Sequence, residues 1–91
     1  MNVRFVVPPS WHSITTLPDL TCEASSIAIA LTWFTSRYPE LAQRILNGDN
    51  DIASWTLVCL DHVDVRSIGG LQAPIGPGYH EVELLSALMG G

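Results

Sequence analysis

A single stretch of this chain carries a helical period, and it is flanked on both sides by segments that alternate with the period of a strand. Across Ile27 to Phe34 the apolar positions Ile27, Leu31 and Phe34 recur at i, i+4 and i+7. Ala24-Ser25-Ser26 supplies N-cap residues before them, and Arg37-Tyr38-Pro39 closes the run. A lone amphipathic helix cannot bury its own apolar stripe. The remaining segments must therefore supply the sheet on which it packs.

Asn2 to Val7 alternates and is rich in β-branched residues, reading as a first strand stopped by Pro8-Pro9-Ser10. Ser13 to Glu23 reads as a second strand, and its Pro18-Asp19 break places it at a sheet edge. Beyond the main helix, Pro39 opens a short second helix through Leu46, which the polar loop Asn47-Gly48-Asp49-Asn50-Asp51 ends. Ser54 to Leu60 is a third strand, Asp61-His62 a turn, and Val63 to Arg66 a short fourth segment. From Ser67 to Gly78 there is no clear period, and glycines and prolines mark turns. Tyr79 to Leu85 is the last strand, with Val82 and Leu84 on one face and Glu81, Glu83 and Leu85 on the other. Two strands, a helix and then two or three strands give an α+β architecture whose simplest two-layer form is the β-grasp. That form is a mixed sheet of four to five strands with one main helix packed across one face. The expected organisation is a β-grasp domain over residues 1–85 and a flexible tail over 86–91.

Composition limits what such a domain can do. With 91 residues, 47% of them hydrophobic, the chain buries about 60–65% of its unfolded surface, enough for one core but not for a roomy internal cleft. That favours a carrier or binding module over a self-sufficient enzyme. Nine acidic residues against four arginines give a formal charge of -5, and Arg4, Arg37, Arg44 and Arg66 are scattered, which argues against nucleic acid as partner. An acidic face suits basic protein surfaces instead. The sequence has no lysine, so no side chain can form a Schiff base or accept an isopeptide bond. Cys22 and Cys59 fall in strand segments and read as buried thiols in a reducing compartment. Met1 to Val7 lacks the ~7–15-residue apolar core of a signal peptide, and no apolar run approaches the ~18 residues of a membrane span. A cytoplasmic protein with no membrane contact is expected.

The final residues, Ser86-Ala87-Leu88-Met89-Gly90-Gly91, follow directly on the last strand. Two residues without Cβ can thread a narrow slot and leave the carbonyl of Gly91 open to attack. Leu57 to Gly91 resembles the ubiquitin-like sulfur carrier proteins, the group that contains the small subunit of molybdopterin synthase and the thiazole-forming carrier of thiamin synthesis. Within it the resemblance is nearest to the actinobacterial cysteine-biosynthesis carrier. The matching features are the strand and the turn with Asp64-Val65-Arg66, the Gly69-Gly70-Leu71 step, and a Gly-containing turn. The strand Val82-Glu83-Leu84-Leu85 and terminal Gly90-Gly91 complete the match. Two features depart from the pattern: Gly76-Pro77-Gly78-Tyr79-His80 replaces a shorter Asp-Gly-Asp type turn, and Ser86 stands where a proline is common.

The resemblance implies a carrier that is not itself an enzyme and binds no cofactor. An ATP-dependent partner would adenylate the Gly91 carboxylate, and a persulfide or sulfide would displace AMP to leave a thiocarboxylate. That anion is a stronger nucleophile than a carboxylate and would pass sulfur to an acceptor in a partner's site. A sulfur-accepting synthase, dependent on pyridoxal phosphate in the cysteine pathway, and a metalloprotease that later frees the product are the further partners implied. Gly90 would give access to Gly91. Leu88 and Met89 would enter a partner groove, and Leu85 with its rim of Glu81 and Glu83 would form a docking patch. The alternatives are the small subunit of molybdopterin synthase and a ubiquitin-like interaction or modifier module with no sulfur role.

Other residues carry weaker signals. His12, His62 and His80 stand as isolated singletons without metal-ligand spacing to either cysteine, and read as surface or turn residues. Asp49 and Asp51 lack the downstream glycine and glutamate of a calcium loop. Trp11, Trp33 and Trp55 are expected in or beside the core. No motif presents a serine as a nucleophile.

Overall fold

A computed structural model describes residues 1–13, 15 and 20–86. Five strands form one mixed sheet: β1 (Asn2–Val6), β2 (Thr21–Glu23), β3 (Thr56–Leu60), β4 (Val63–Asp64) and β5 (Tyr79–Ser86), in the order β2-β1-β5-β3-β4. The last strand therefore lies in the centre. It runs parallel to β1, with Asn2 opposite Tyr79 and Val6 opposite Glu83, and antiparallel to β3, with Leu57 opposite Leu85. β2 and β4 close the two edges, each antiparallel to its neighbour.

Helix α1 (Ile27–Arg37) begins where the sequence places it. Ser26 has extended backbone angles and its Oγ accepts the Ile29 N–H at 3.2 Å, satisfying one of the orphan donors of the first turn. Pro39 cannot continue the hydrogen-bond ladder, so α1 gives way to a 3-10 turn at Pro39–Leu41 and the four-residue helix α2 (Ala42–Ile45). Ile27, Ala30, Leu31 and Phe34 form the buried stripe, and they join Val3, Phe5, Val58, Val82 and Leu84 from the sheet in one core. Phe34 is the link between layers: its ring centroid lies 4.7 Å from that of Phe5 and 5.2 Å from that of Tyr38. Such pairs add to the area that they bury.

The β-grasp expectation holds, and the strand boundaries shift for local reasons. Among the described residues of Ser13 to Glu23, the strand paired with β1 is Thr21–Glu23, preceded by the Leu20 carbonyl, which accepts the Phe5 N–H. Upstream, Pro9–Trp11 makes a 3-10 turn that buries Trp11, and both the Thr15 N–H and its hydroxyl donate to the Trp11 carbonyl. Those bonds turn Thr15 back on the 3-10 turn and take its N–H away from any ladder. β3 begins at Thr56 rather than Ser54, because the Thr56 N–H turns back to the Ala53 carbonyl. β4 stops at Asp64, whose carboxylate accepts the Arg66 N–H and starts a 3-10 turn over Val65–Ser67. β5 continues one residue beyond Leu85. Trp55 is a further correction: it is 41% exposed, since it sits in the turn before β3 and not on a strand.

Among the described residues no helix is long and apolar enough to cross a membrane. Phe34→Ala removes the ring that joins helix to sheet and is expected to cost about 3–5 kcal/mol, read as a lower urea midpoint with unchanged slope. Ser26→Ala should cost about 1 kcal/mol in the same measurement.

Candidate functional site

With α1 on one face of the sheet, strand alternation leaves the other face uncovered by any described helix. Along β5 that open face carries Glu81, Glu83 and Leu85, while Val82 and Leu84 point into the core. Leu85 is 38% exposed and lies opposite Leu57 of β3, so two leucines meet at the end of the strand where the chain leaves the sheet. Glu83 is flanked by Val6 and Cys59, and Glu81 by Arg4. On this face an apolar pair is thus bordered by carboxylates. The expected site residues Leu88, Met89, Gly90 and Gly91 lie outside the described residues.

The two thiols are free and differ in burial. Cys59 is only 8% exposed, and burial raises its pKa, with the Asp64 and Glu83 carboxylates pushing the same way. Cys22 is half-buried on β2, packs against the core, and is also raised by burial. Neither environment generates a thiolate nucleophile at neutral pH.

The histidines are not the isolated residues that the spacing suggests. His62 Nδ1 lies 2.9 Å from Glu83 Oε1, which places an imidazole over the carboxylate next to Leu85. His80 Nδ1 lies 2.6 Å from Asp61 Oδ2, and its Nε2 lies 3.1 Å from the carbonyl oxygens of both Gly76 and Pro77. Asp61 and His62 have φ of 50° and 71°, a left-handed pair that closes the tight turn from β3 to β4 without a glycine. Asp61 Oδ1 holds that turn by accepting the Glu81 N–H at 2.9 Å. His12 is exposed, in keeping with a surface residue. Among the described residues no group of three or more His, Cys, Asp or Glu side chains comes together to hold a metal.

Sequence reasoning also passed over Arg66 as a structural tie. Its guanidinium donates to the Thr56 carbonyl at 2.9 Å and the Ala53 carbonyl at 2.6 Å, fastening the turn after β4 to the loop before β3. The Thr56 hydroxyl in turn donates to the Arg44 carbonyl at the end of α2. These contacts span ten or more residues, so no local pattern announces them. The Gly69-Gly70 step, by contrast, is legible: both residues have positive φ, at 121° and 62°, which side chains rarely adopt.

This topology, with its first and last strands parallel and central and one helix across the sheet, is the β-grasp fold of ubiquitin-like proteins. No protein-family model and no curated protein matches the sequence. Solved structures do match. A chain of the crystal structure of the Amycolatopsis orientalis BexX/CysO complex superimposes with a TM-score of 0.73 at 23% identity, covering 99% of this chain and 98% of that one. Small archaeal modifier protein 1 from Methanosarcina acetivorans gives a TM-score of 0.81 at 17% identity over 99% and 96% of the two chains. The same-named protein from Haloferax volcanii gives 0.72 at 14% identity over the whole of both. These neighbours bear out, at the level of the fold, the resemblance drawn from Leu57 to Gly91.

The burial of Cys59 yields a direct test. In the native protein it should react with iodoacetamide at least ~10-fold more slowly than in urea, with Cys22 intermediate, as resolved by peptide mass mapping.

Proposed function

We propose that this chain is a sulfur carrier, a co-substrate of partner enzymes rather than an enzyme, with Gly91 as its reactive terminus. The observation that carries this reading is the placement of β5. The central strand of a ubiquitin-like sheet ends on the open face beside Leu57 and Leu85 and leads straight into Ala87-Leu88-Met89-Gly90-Gly91. The fold likeness to a chain of the BexX/CysO complex supports a role in which a small carrier meets a larger enzyme.

In this reading an ATP-dependent partner joins the Gly91 carboxylate to AMP and releases pyrophosphate. Hydrosulfide then attacks the acyl carbon; AMP leaves and, on loss of the proton, a thiocarboxylate remains. The thiocarboxylate sulfur attacks an electrophile bound by a second enzyme, a synthase of the cysteine type that uses pyridoxal phosphate, and a metalloprotease frees the product from Gly91. ATP, metal and pyridoxal phosphate belong to the partners. The chain's contribution is recognition: Leu85 as apolar anchor, Glu81 and Glu83 as acidic rim, Leu88 and Met89 in a partner groove, and Gly90 for access to Gly91. A cytoplasmic location accompanies the reading, since both thiols are free.

The fold likeness to the archaeal modifier proteins favours one second reading, in which Gly91 is joined to a lysine of another protein. One experiment separates the two. Incubated with an adenylating enzyme, ATP and a sulfur source, the carrier should gain the mass of one oxygen-to-sulfur exchange at Gly91, measured on the intact chain. A modifier gives conjugates with target proteins and no such exchange, which would overturn the carrier reading. Deletion of Gly91 should abolish the exchange while the urea midpoint stays unchanged. Leu85→Arg should weaken binding to the adenylating partner by about tenfold or more in calorimetry, the loss expected of an anchor residue.

A further inference from the structure

The ring of His80 is enclosed by acceptors on both of its nitrogens. On the Nδ1 side stands the Asp61 carboxylate; on the Nε2 side stand the carbonyl oxygens of Gly76 and Pro77. A carbonyl oxygen has no proton to give. The carboxylate is ionised, because Asp61 Oδ1 accepts the Glu81 N–H and the carboxyl pKa is lowered, first by the bond to His80 and next by that N–H. A neutral imidazole has one N–H for these two sides and would leave a bare nitrogen lone pair facing oxygen. The imidazolium has two, and satisfies both.

We propose that His80 is a proton-operated latch. As the imidazolium it ties the β3–β4 turn at Asp61 to the 76–78 turn before β5, and loss of one proton releases the 76–78 turn. The surviving proton stays on Nδ1, because an ionised carboxylate is a stronger acceptor than an amide carbonyl. Asp61 therefore keeps its partner, and the Gly76 and Pro77 carbonyls lose theirs. The turn has room to adjust around Gly76 and Pro77: Gly76 and Gly78 have open space where a side chain would be, while the Asn2 N–H holds the Gly78 carbonyl at 2.9 Å. It leads into Tyr79, which is 86% exposed.

The surroundings decide the direction of the proton equilibrium. From the β3–β4 turn Asp61 attracts the proton, and His62 faces Glu83 instead. From β1 Arg4, and from β5 Tyr79 and Glu81, border the same shallow depression of ≈ 340 Å³. Burial opposes protonation, whereas Asp61 is in direct contact and favours it. The His80 pKa is accordingly raised, chiefly by the bond to Asp61 and then by the Pro77 carbonyl. A group with a raised folded pKa contributes stability that is fully present below its unfolded value, ~6.5, and is lost as pH rises through the folded value. The latch thus closes on the acid side and opens on the alkaline side. It makes the shape of the depression beside Arg4 and Tyr79 depend on pH, whatever the fate of Gly91.

The test is an NMR titration of the full isotope-labelled chain from about pH 5 to about pH 9, the range in which histidine switches. Below its midpoint both ring nitrogens of His80 should carry protons, and the carbonyl shifts of Gly76 and Pro77 should follow that midpoint. Asp61→Asn, whose amide tolerates the left-handed backbone, should lower that midpoint by about one unit or more. His80→Gln should abolish the pH-dependent step in the carbonyl shifts. A ring that is singly protonated at the acid end of the titration, or carbonyl shifts that ignore the His80 midpoint, overturns the latch. A midpoint that Asp61→Asn leaves in place overturns the assignment of Asp61 as its partner.

Discussion

The parallel pairing of β1 with β5 is the contact on which the rest of this structure depends. Strands that run the same way side by side cannot be joined by a tight turn; the chain between them must leave the sheet, cross a face and return. Here that crossing contains α1, and the helix can make it because Ile27, Ala30, Leu31 and Phe34 present one apolar stripe to Val3, Phe5, Val82 and Leu84. The pairing also puts β5 at the middle of the sheet. A central strand is hydrogen-bonded on both sides, so the residues that follow it start from a rigid base.

The two faces of the sheet have opposite chemistry because β5 alternates. Val82 and Leu84 serve the core, and the same strand turns Glu81, Glu83 and Leu85 outward. The open face is the side on which β5 presents leucine and carboxylates. The buried and electrostatically disfavoured Cys59 beside Glu83 fits that division.

Polar contacts between turns hold the second half of the chain, where regular structure is sparse. Arg66 fastens the loop before β3, and Asp61 fastens the β3–β4 turn to β5 through the Glu81 N–H and His80. Both ties add hydrogen bonds to backbone groups of the strands and of the loop before β3. The long Gly76-Pro77-Gly78-Tyr79-His80 turn, which departs from the pattern of the resembling carriers, brings its own partner in His80. The departure therefore exchanges one way of closing a turn for another, and leaves the strand order intact.

What was legible in the sequence was whatever depends on neighbours a few residues apart. The α1 stripe and its Ser26 cap, the alternation of β5, the edge position of β2 and the positive-φ glycines Gly69 and Gly70 all follow from local periods and backbone sterics. Where local hydrogen bonds competed with a ladder, as at Trp11 to Thr15, the pattern overstated the strand, because β-rich composition reports suitability for a sheet and not the presence of a partner. Tertiary structure alone decided that the last strand sits between the first and third, that Trp55 faces solvent, and that His80 and His62 find Asp61 and Glu83. Pairs such as Asp61 and His80, 19 residues apart, meet only because the sheet has placed β3 against β5. Their protonation and their charge belong to the fold and cannot be read along the chain.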